Sequence, residues 1–290
     1  MGERPSLSAV VVNYNARDHL VDCVRSVRAD GVDEIIVVDN ASTDGSLEAV
    51  AKVDPNAATV STGGNLGFGS AANRGLAVAR GEYVTVLNPD VVVESGTMKA
   101  LAAALDGDPG LGAVAPRVDN PDGTLYPSVR SFPSMTDAIG HAFLGFVAPR
   151  NRFSRHYRML DWDHAPASDV DWASGTCLML RAAALGDAAR FDESYFMYVE
   201  DVDLCWRLHD AGWRVGYEPA GRVVHTVGAS SELAPYRMIL AHHRSLLRFS
   251  ARTASGRRRL LLPLVGVGLA LRTVLAWLQR ASRGRPHAAP

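Results

Sequence analysis

The sequence predicts an α/β fold built on a doubly wound, mostly parallel sheet. Two observations predict it. Between residues 7 and 115, short apolar runs typical of strands buried on both faces alternate with stretches of helical period. At or just after the ends of those runs stand Asn13, Asp39, Asn65 and Asp90, at the strand ends where such sheets bind ligands. A chain of 290 residues, 47% hydrophobic and 21% charged, suits one such domain with an appendage.

The elements follow in order. Residues 7–12 form a nearly unbroken apolar run, a buried strand. Residues 16–28 carry Leu20, Cys23, Val24 and Val27 at helical spacing. A second buried strand at 34–38 ends at Asp39, and Ser42-Thr43-Asp44 offers the N-cap of a helix to Val53. A short strand at 58–61, a helix over 67–80 and a strand at 83–87 follow, the last ending in Asn88-Pro89-Asp90. Residues 97–105 are helical and 111–115 extended; the rhythm implies right-handed crossovers. Residues 118–168 mix Pro, Asp, Arg and aromatics without a period and read as a long connection or lid. Regular structure resumes at 170–181, then as a helix over 201–211 and strands at 213–217 and 222–225.

The net charge of −1 is unevenly spread. The last acidic residue is Glu232, and from Arg248 onward the chain holds nine arginines and no acid. That stretch contains an apolar run at 260–271, then Val274, Leu275, Trp277 and Leu278, with Arg257-Arg258-Arg259 before it and Arg272 interrupting it. A membrane span needs about 20 clean apolar residues. The expectation is therefore an in-plane or re-entrant helix on an anionic membrane surface, set against a helix packed on the protein's own core. The arginines are not interleaved with aromatics, so nucleic acid is not an expected partner. Cys23, Cys177 and Cys205 have neither zinc nor disulfide spacing. Cys23 and Cys205 fall on apolar helical faces and read as buried thiols, which suits a reducing cytoplasm. Residues 1–5 lack the apolar run of a signal peptide. The expected location is cytoplasmic, peripheral on the inner face of the cell membrane.

Several constellations carry chemistry, each with a plainer reading beside it. Asn13-Tyr14-Asn15 and Asp39-Asn40 follow strands one and two, where their side chains suit a base and ribose or simply a turn. Residues 63–73 are a glycine-rich entry to a helix, and Gly67-x-Gly69-x-x-Ala72 matches the dinucleotide fingerprint of nucleotide-dependent oxidoreductases. That fingerprint belongs after the first strand, whereas this one follows the third, although amides at a helix start can face a phosphate. Asp90 in Asn88-Pro89-Asp90 suits Mg²⁺ or Mn²⁺ against a diphosphate, or a turn. Glu200-Asp201 opens a helix whose apolar face is Val202, Cys205, Trp206 and His209; the acids are a helix N-terminus or a general base. Asp203 has Arg207 four residues on, which reads as a surface ion pair. His225 ends a short apolar strand, usually a structural position.

Taken in order, these segments resemble the family-two glycosyltransferases of GT-A fold. The segments are Val-Val-Asn-Tyr-Asn (11–15), Val-Val-Asp-Asn-Ala-Ser-Thr-Asp-Gly-Ser (37–46), Gly-Asn-Leu-Gly-Phe-Gly (64–69), Leu-Asn-Pro-Asp (87–90), Ser-Gly-Thr-Cys-Leu-Met-Leu-Arg (174–181), the run 191–205 and Val-His (224–225). The resemblance covers roughly residues 7 to 250 and looks closest to rhamnosyltransferases of actinobacterial type that extend lipid-linked glycans. It implies a domain over 1–250, with a nucleotide-sugar half at 7–117, a variable connection at 118–168 and an acceptor half at 169–250; the basic, apolar composition of 251–290 makes that stretch a membrane-associating tail.

The resemblance also implies roles. Asp39 contacts the donor nucleotide, with Asn13, Asn15, Asn40, Asn65, Gly67, Asn73 and Asn88 around it. Asp90 is the metal ligand of an Asp-x-Asp variant in which Asn88 replaces the first acid, and His225 completes the site. Asp201 is the catalytic base, with Glu200 beside it. Trp172, Ser174 and Gly175 form the acceptor-side segment. The Gln-x-x-Arg-Trp motif of processive synthases is absent, which implies transfer of one sugar or a few. The implied activity is inverting, metal-dependent transfer of a sugar, rhamnose from dTDP-rhamnose as the first expectation, to a glycan or polyprenyl-diphosphate-linked acceptor. The alternatives are a sister enzyme using a UDP-sugar and a non-catalytic sugar-nucleotide-binding protein.

Overall fold

The computed structural model describes residues 6–132, 162–186, 190–226 and 235–282. Strands β1 (Leu7–Asn13), β2 (Glu34–Asp39), β3 (Ala58–Ser61) and β4 (Tyr83–Leu87) lie in the order β3-β2-β1-β4, all parallel. The chain moves outward from β1 to β3 and then returns to place β4 on the other side of β1. The order therefore reverses beside β1, at the kind of switch point where α/β sheets bind ligands. This is the GT-A-like half that the sequence predicts.

Beyond β4 the sheet is mixed. Strand β10 (Cys177–Arg181) sits antiparallel between β4 and β6 (Leu111–Asp119). Strand β11 (Arg214–His225) runs parallel to β6. Its first half pairs antiparallel with β8 (Ser168–Val170) and its last residues with the edge strand β5 (Val91–Val93). The two strands expected at 213–217 and 222–225 are thus one strand. Its register breaks between Glu218 and Arg222, around Pro219, which has no N–H to give the ladder. Strands β7 (Val129–Arg130) and β9 (Trp172–Ala173) form a separate antiparallel pair. Of the connection expected over 118–168, residues 133–161 lie outside the described residues.

Side chains alternate across β1 and send its residues to two cores. Ala9 and Val11 join Leu20, Cys23, Val24 and Val27 of α1 (Arg17–Ala29), Val50 of α2 (Ser46–Val53), and Met98, Leu101 and Leu105 of α4 (Thr97–Gly107). Val10 and Val12 join Phe68, Ala71 and Ala72 of α3 (Phe68–Leu76) and Val202, Leu204, Cys205 and Leu208 of α5 (Glu200–Asp210). A fully buried Leu or Val contributes about 1.5–3 kcal/mol, so the periodic stripe of α1 alone fixes that helix to the sheet. Helix α2 starts later than expected, after Gly45. Asp44 accepts the Ser46 N–H at 3.1 Å and also the Arg17 N–H of α1 at 3.0 Å, so one carboxylate serves the starts of two helices.

The C-terminal part forms two helices. Helix α6 (Pro235–Thr253) buries Phe249 in the core beside α5 and runs across the boundary expected between the domain (to 250) and the tail (from 251). Helix α7 (Leu262–Ser282), entered through a 3-10 turn at Gly256–Leu261, lies along α6. His243 Nδ1 meets Thr273 Oγ1 at 2.7 Å, and the Trp277 indole N–H donates to the Tyr236 carbonyl at 3.2 Å. Gly256–Ala281 is a 26-residue helical stretch holding an 18-residue window of mean hydropathy 1.9, long and apolar enough to cross a membrane. Only one side packs: Leu264, Val267, Leu271 and Leu278 are 58–62% exposed.

Candidate active site

The topology gathers the chemistry on one edge of the sheet. Asn13 and Asp39 are paired residues at the ends of β1 and β2. Asn88-Pro89-Asp90 continues from β4. Strand β10 is antiparallel to β4, so the segment before it, Ser174-Gly175-Thr176, arrives at the same edge, where the Asn88 N–H donates to the Thr176 carbonyl at 3.0 Å. Strand β11 ends there at His225, opposite Val91.

The Asn13 amide donates to Asp39 Oδ1 at 3.0 Å and to Ser42 Oγ at 2.9 Å. Asp39 Oδ2 accepts the Ser42 N–H at 3.1 Å. Both residues are buried, and Asn13 Oδ1 has no partner, which is costly for a polar atom away from water. Asn15 holds a left-handed backbone (φ 49°), and its side chain accepts the Thr43 N–H at 2.8 Å. Asn40 donates to the Gly67 carbonyl and accepts the Leu66 N–H. Asn65 is exposed and accepts the Gly67 N–H. Asn73 pairs with both backbone groups of Phe191 at 2.9 and 3.0 Å. Asn40, Gly67 and Asn73 thus sit where the start of α3 meets the 191–203 segment. The Phe68 N–H donates to the Phe196 carbonyl at 3.1 Å, so this helix start faces protein.

Asp90 and His225 are both buried and face each other, with Asp90 Oδ1 3.1 Å from His225 Nε2. The Asn88 amide nitrogen lies 3.4 Å from the same ring nitrogen. The Tyr126 ring packs edge-on against the imidazole at 5.8 Å, and His225 Nδ1 has no partner. A separation of about 3 Å suits a hydrogen bond and equally two adjacent ligands of an octahedral cation with bonds of about 2.1 Å. A carboxylate and an imidazole are donors that such a cation accepts. Among the described residues no group of three or more His, Cys, Asp or Glu side chains converges on one point. A cation held here would complete its shell from phosphate oxygens and water.

Glu200 and Asp201 open α5 just after Tyr198 and Val199, whose φ values are +67° and +70°. Left-handed backbone at non-glycine residues costs about 1–3 kcal/mol each, and for the β-branched Val199 it is a genuine outlier. The strain aims the two acids. Asp201 Oδ2 accepts the Gly175 N–H at 3.0 Å and Oδ1 its neighbour Val202 N–H at 2.8 Å. Burial pushes the Asp201 carboxyl above its ordinary range, opposed by those amides and by Arg130. Glu200 is buried, with Oε2 unpartnered. Burial and then the Asp201 charge push it well above the ordinary glutamate range. Both carboxyls are thus displaced upward, Glu200 the further of the two, so the proton is held more tightly on Glu200.

In the segment expected to face the acceptor, Trp172 is buried and donates to the Ser131 carbonyl at 3.0 Å, with Arg130 over its ring at 5.2 Å. Ser174 Oγ pairs with Thr176 Oγ1 at 2.9 Å. A side chain on Gly175 would meet the Phe68 ring at 3.1 Å. Asp203 corrects the expectation of a surface ion pair: it is fully buried. Its Arg207 partner is present at 2.8 Å, but Tyr195 Oη and Arg252 of α6 also reach it, at 3.3 and 3.1 Å. Trp206 is 36% exposed, and the buried face of α5 is made instead by Val202, Leu204, Cys205 and Leu208. The sequence reading missed Arg130, Tyr126 and the whole of α6. The spacing of Leu246 and Phe249 with His243 was the available signal for the helix.

Residues 8–184 match the model described as Glycosyl transferase family 2. The chain is 38% identical over 265 residues to an N-acetylglucosaminyl-diphospho-decaprenol L-rhamnosyltransferase of Mycobacterium tuberculosis, covering 86% of this chain and 85% of that one. It is 25% identical over 253 residues to rhamnosyltransferase WbbL of Escherichia coli (strain K12), covering 84% and 92% of the two chains. A mannosyltransferase from Pyrobaculum calidifontis, solved in complex with GDP-Man and Mn2+, shares the fold at a TM-score of 0.58 and 19% identity, over 98% of this chain and 77% of that one.

Proposed function

The chain belongs to glycosyl transferase family 2, and from that premise we propose that it transfers rhamnose from dTDP-rhamnose to polyprenyl-diphosphate-linked N-acetylglucosamine, with inversion, in cell-envelope polysaccharide synthesis. The observation that carries this reading is the 38% identity to the mycobacterial relative over 86% of this chain and 85% of that one.

The donor lies across the ends of β1, β2 and β4. Asp39 and Asn13 take the nucleoside, with Asn15, Asn40, Asn65 and Asn73 shaping the surrounding loops. Asp90 and His225, beside Asn88, would hold a divalent cation, Mg²⁺ or Mn²⁺, which when bound would supply positive charge against the diphosphate leaving group. Asp201 removes the proton from the acceptor hydroxyl while that oxygen attacks the anomeric carbon and the bond to the diphosphate breaks on the opposite face. An ordinary aspartate, of pKa about 3.9, is a weak base; the upward displacement of Asp201 moves it toward its task. Gly175 and Val202 fix the carboxylate, and Trp172, Ser174 and Gly175 line the acceptor approach. Glu200, kept neutral, leaves Asp201 as the charged member of the pair.

The acceptor's lipid belongs in a membrane. Helix α7 presents an exposed apolar side behind Arg257-Arg258-Arg259, which suits in-plane association with an anionic leaflet on the cytoplasmic side. A donor screen tests the function. Purified protein is given a lipid-linked N-acetylglucosamine acceptor and a panel of dTDP-, UDP- and GDP-sugars, and nucleoside diphosphate release and lipid product are measured. Turnover with dTDP-rhamnose above all others is expected. Preference for a UDP-sugar would overturn the choice of donor, and product on no donor would overturn the activity.

A further inference from the structure

We infer that Arg252, on α6, is a positioning residue for the catalytic carboxylate, clasping the two ends of the loop that presents Asp201. The inference rests on the reading of Asp201 as the base. Arg252 Nη1 lies 2.6 Å from Asp192 Oδ2, at the start of the loop, and 3.1 Å from Asp203 Oδ1, at its end. Asp192 is itself oriented by the Ser194 N–H at 2.9 Å. Asp203 is fully buried in the first turn of α5, two residues past Asp201.

Between the two carboxylates the chain passes through the left-handed Tyr198 and Val199. A loop held in disfavoured backbone conformations keeps them only while its surroundings impose them. Helix α3 holds one side, through Asn73 and the Phe68 N–H. Helix α6 holds the other: Ser245 Oγ donates to the Met197 carbonyl at 3.1 Å, Arg248 stands over the Tyr195 ring at 5.8 Å, and His242 packs on Tyr198 at 5.2 Å. Arg207 also binds Asp203, but it belongs to α5 and moves with it. Arg252 comes from a different element, so it fixes the first turn of α5 relative to the rest of the molecule. Release of that clasp lets the turn carry Asp201 away from the Gly175 N–H. The same helix bears α7 on its other side, so α6 stands between the apolar surface and the catalytic loop.

The test uses the full chain with Arg252→Gln, Arg252→Lys and Asp192→Asn. Arg252→Gln is expected to lower kcat about 10–100-fold, the scale of a catalytic group displaced by about 1 Å, with donor KM and nucleotide affinity within about twofold of wild type. Arg252→Lys restores part of the loss, because the charge remains without the planar fork. Asp192→Asn, which leaves the buried Asp203 paired, shows the same pattern more weakly and serves if Arg252→Gln does not fold. Hydrogen exchange, which needs no activity, is expected to rise at amides 196–203 and not in β1 or β4. Wild-type kcat in a folded Arg252→Gln protein, or exchange unaltered at 196–203, would overturn the inference. A wild-type protein that transfers no sugar would instead overturn the functional reading, with the exchange experiment still judging the clasp.

Discussion

Gly67→Ala puts the junction between α3 and the catalytic loop to a quantitative test. Gly67 sits at φ +85° and ψ 175°, a region that is essentially glycine-only and costs other residues about 1–3 kcal/mol. A Cβ there would lie 1.9 Å from the Phe196 carbonyl oxygen and 2.7 Å from its carbon. Relief requires that peptide to move by about 1.4 Å, since C···O contacts normally lie beyond about 3.3 Å. The same oxygen accepts the Phe68 N–H, a bond worth about 0.5–1.5 kcal/mol. With about 1–3 kcal/mol for overpacking, the loss is about 2.5–7.5 kcal/mol, a large part of the about 5–15 kcal/mol available to a domain. Phe196 lies just ahead of Glu200 and Asp201, so the displacement also reaches the proposed base, and protein that still folds should lose kcat. Denaturant unfolding of the full chain reads the first effect. Gly63→Ala is the control: Gly63 has φ +75° with nothing within 4 Å of its would-be Cβ, so it should lose only about 1–2 kcal/mol. Equal losses in the two variants would refute the close-approach argument.

Three further outcomes are expected. Glu200→Gln should flatten the pH dependence of stability. The folded-state pKa of Glu200 is raised, so its contribution is fully present below the unfolded value of about 4.3 and is lost as pH rises through the folded one. Unfolding free energies at pH 5 and pH 8 should therefore differ less in the variant, and parallel profiles would contradict the buried, neutral Glu200. Asp90→Ala should weaken Mn²⁺-dependent nucleotide binding at least about tenfold, the least expected when even an outer partner of a metal ligand is lost. Calorimetry with and without chelator checks this, and chelator-insensitive binding in wild type would count against the cation. Leu264→Asp combined with Leu271→Asp should cut binding to anionic vesicles more than about tenfold, because a carboxylate costs up to about 3 kcal/mol in lipid. Undiminished cosedimentation would show that the exposed side of α7 does not meet the membrane.

The parallel half of the fold was legible because each strand is a local apolar run and each helix a local period: β3 and β4 fall on the residues expected, and α1 within one residue at each end. The mixed half was not. Whether residues 177–181 run parallel or antiparallel depends on where a long connection returns the chain, and no local pattern records that. Edge strand β5 is only Val91–Val93, too short for periodicity to register. Polar residues at strand ends were readable as candidates, yet their partners were not. Asp203 looked like half of an exposed helical pair, since Arg207 is its only sequence neighbour of opposite charge at helical spacing. Its burial comes from Tyr195 and from Arg252, which lies far along the chain. Likewise nothing local to Gly67 shows that Phe196 fills the space beside it.

Asp201→Asn decides whether Asp201 is the base. The amide keeps the size of the side chain and an oxygen to accept the Gly175 N–H, but it cannot take a proton. With dTDP-rhamnose and lipid-linked N-acetylglucosamine, turnover should fall at least about a hundredfold, the low end for a positioned general base, while dTDP-rhamnose binds as it does to wild type. Near-normal turnover in that variant would remove Asp201 as the base.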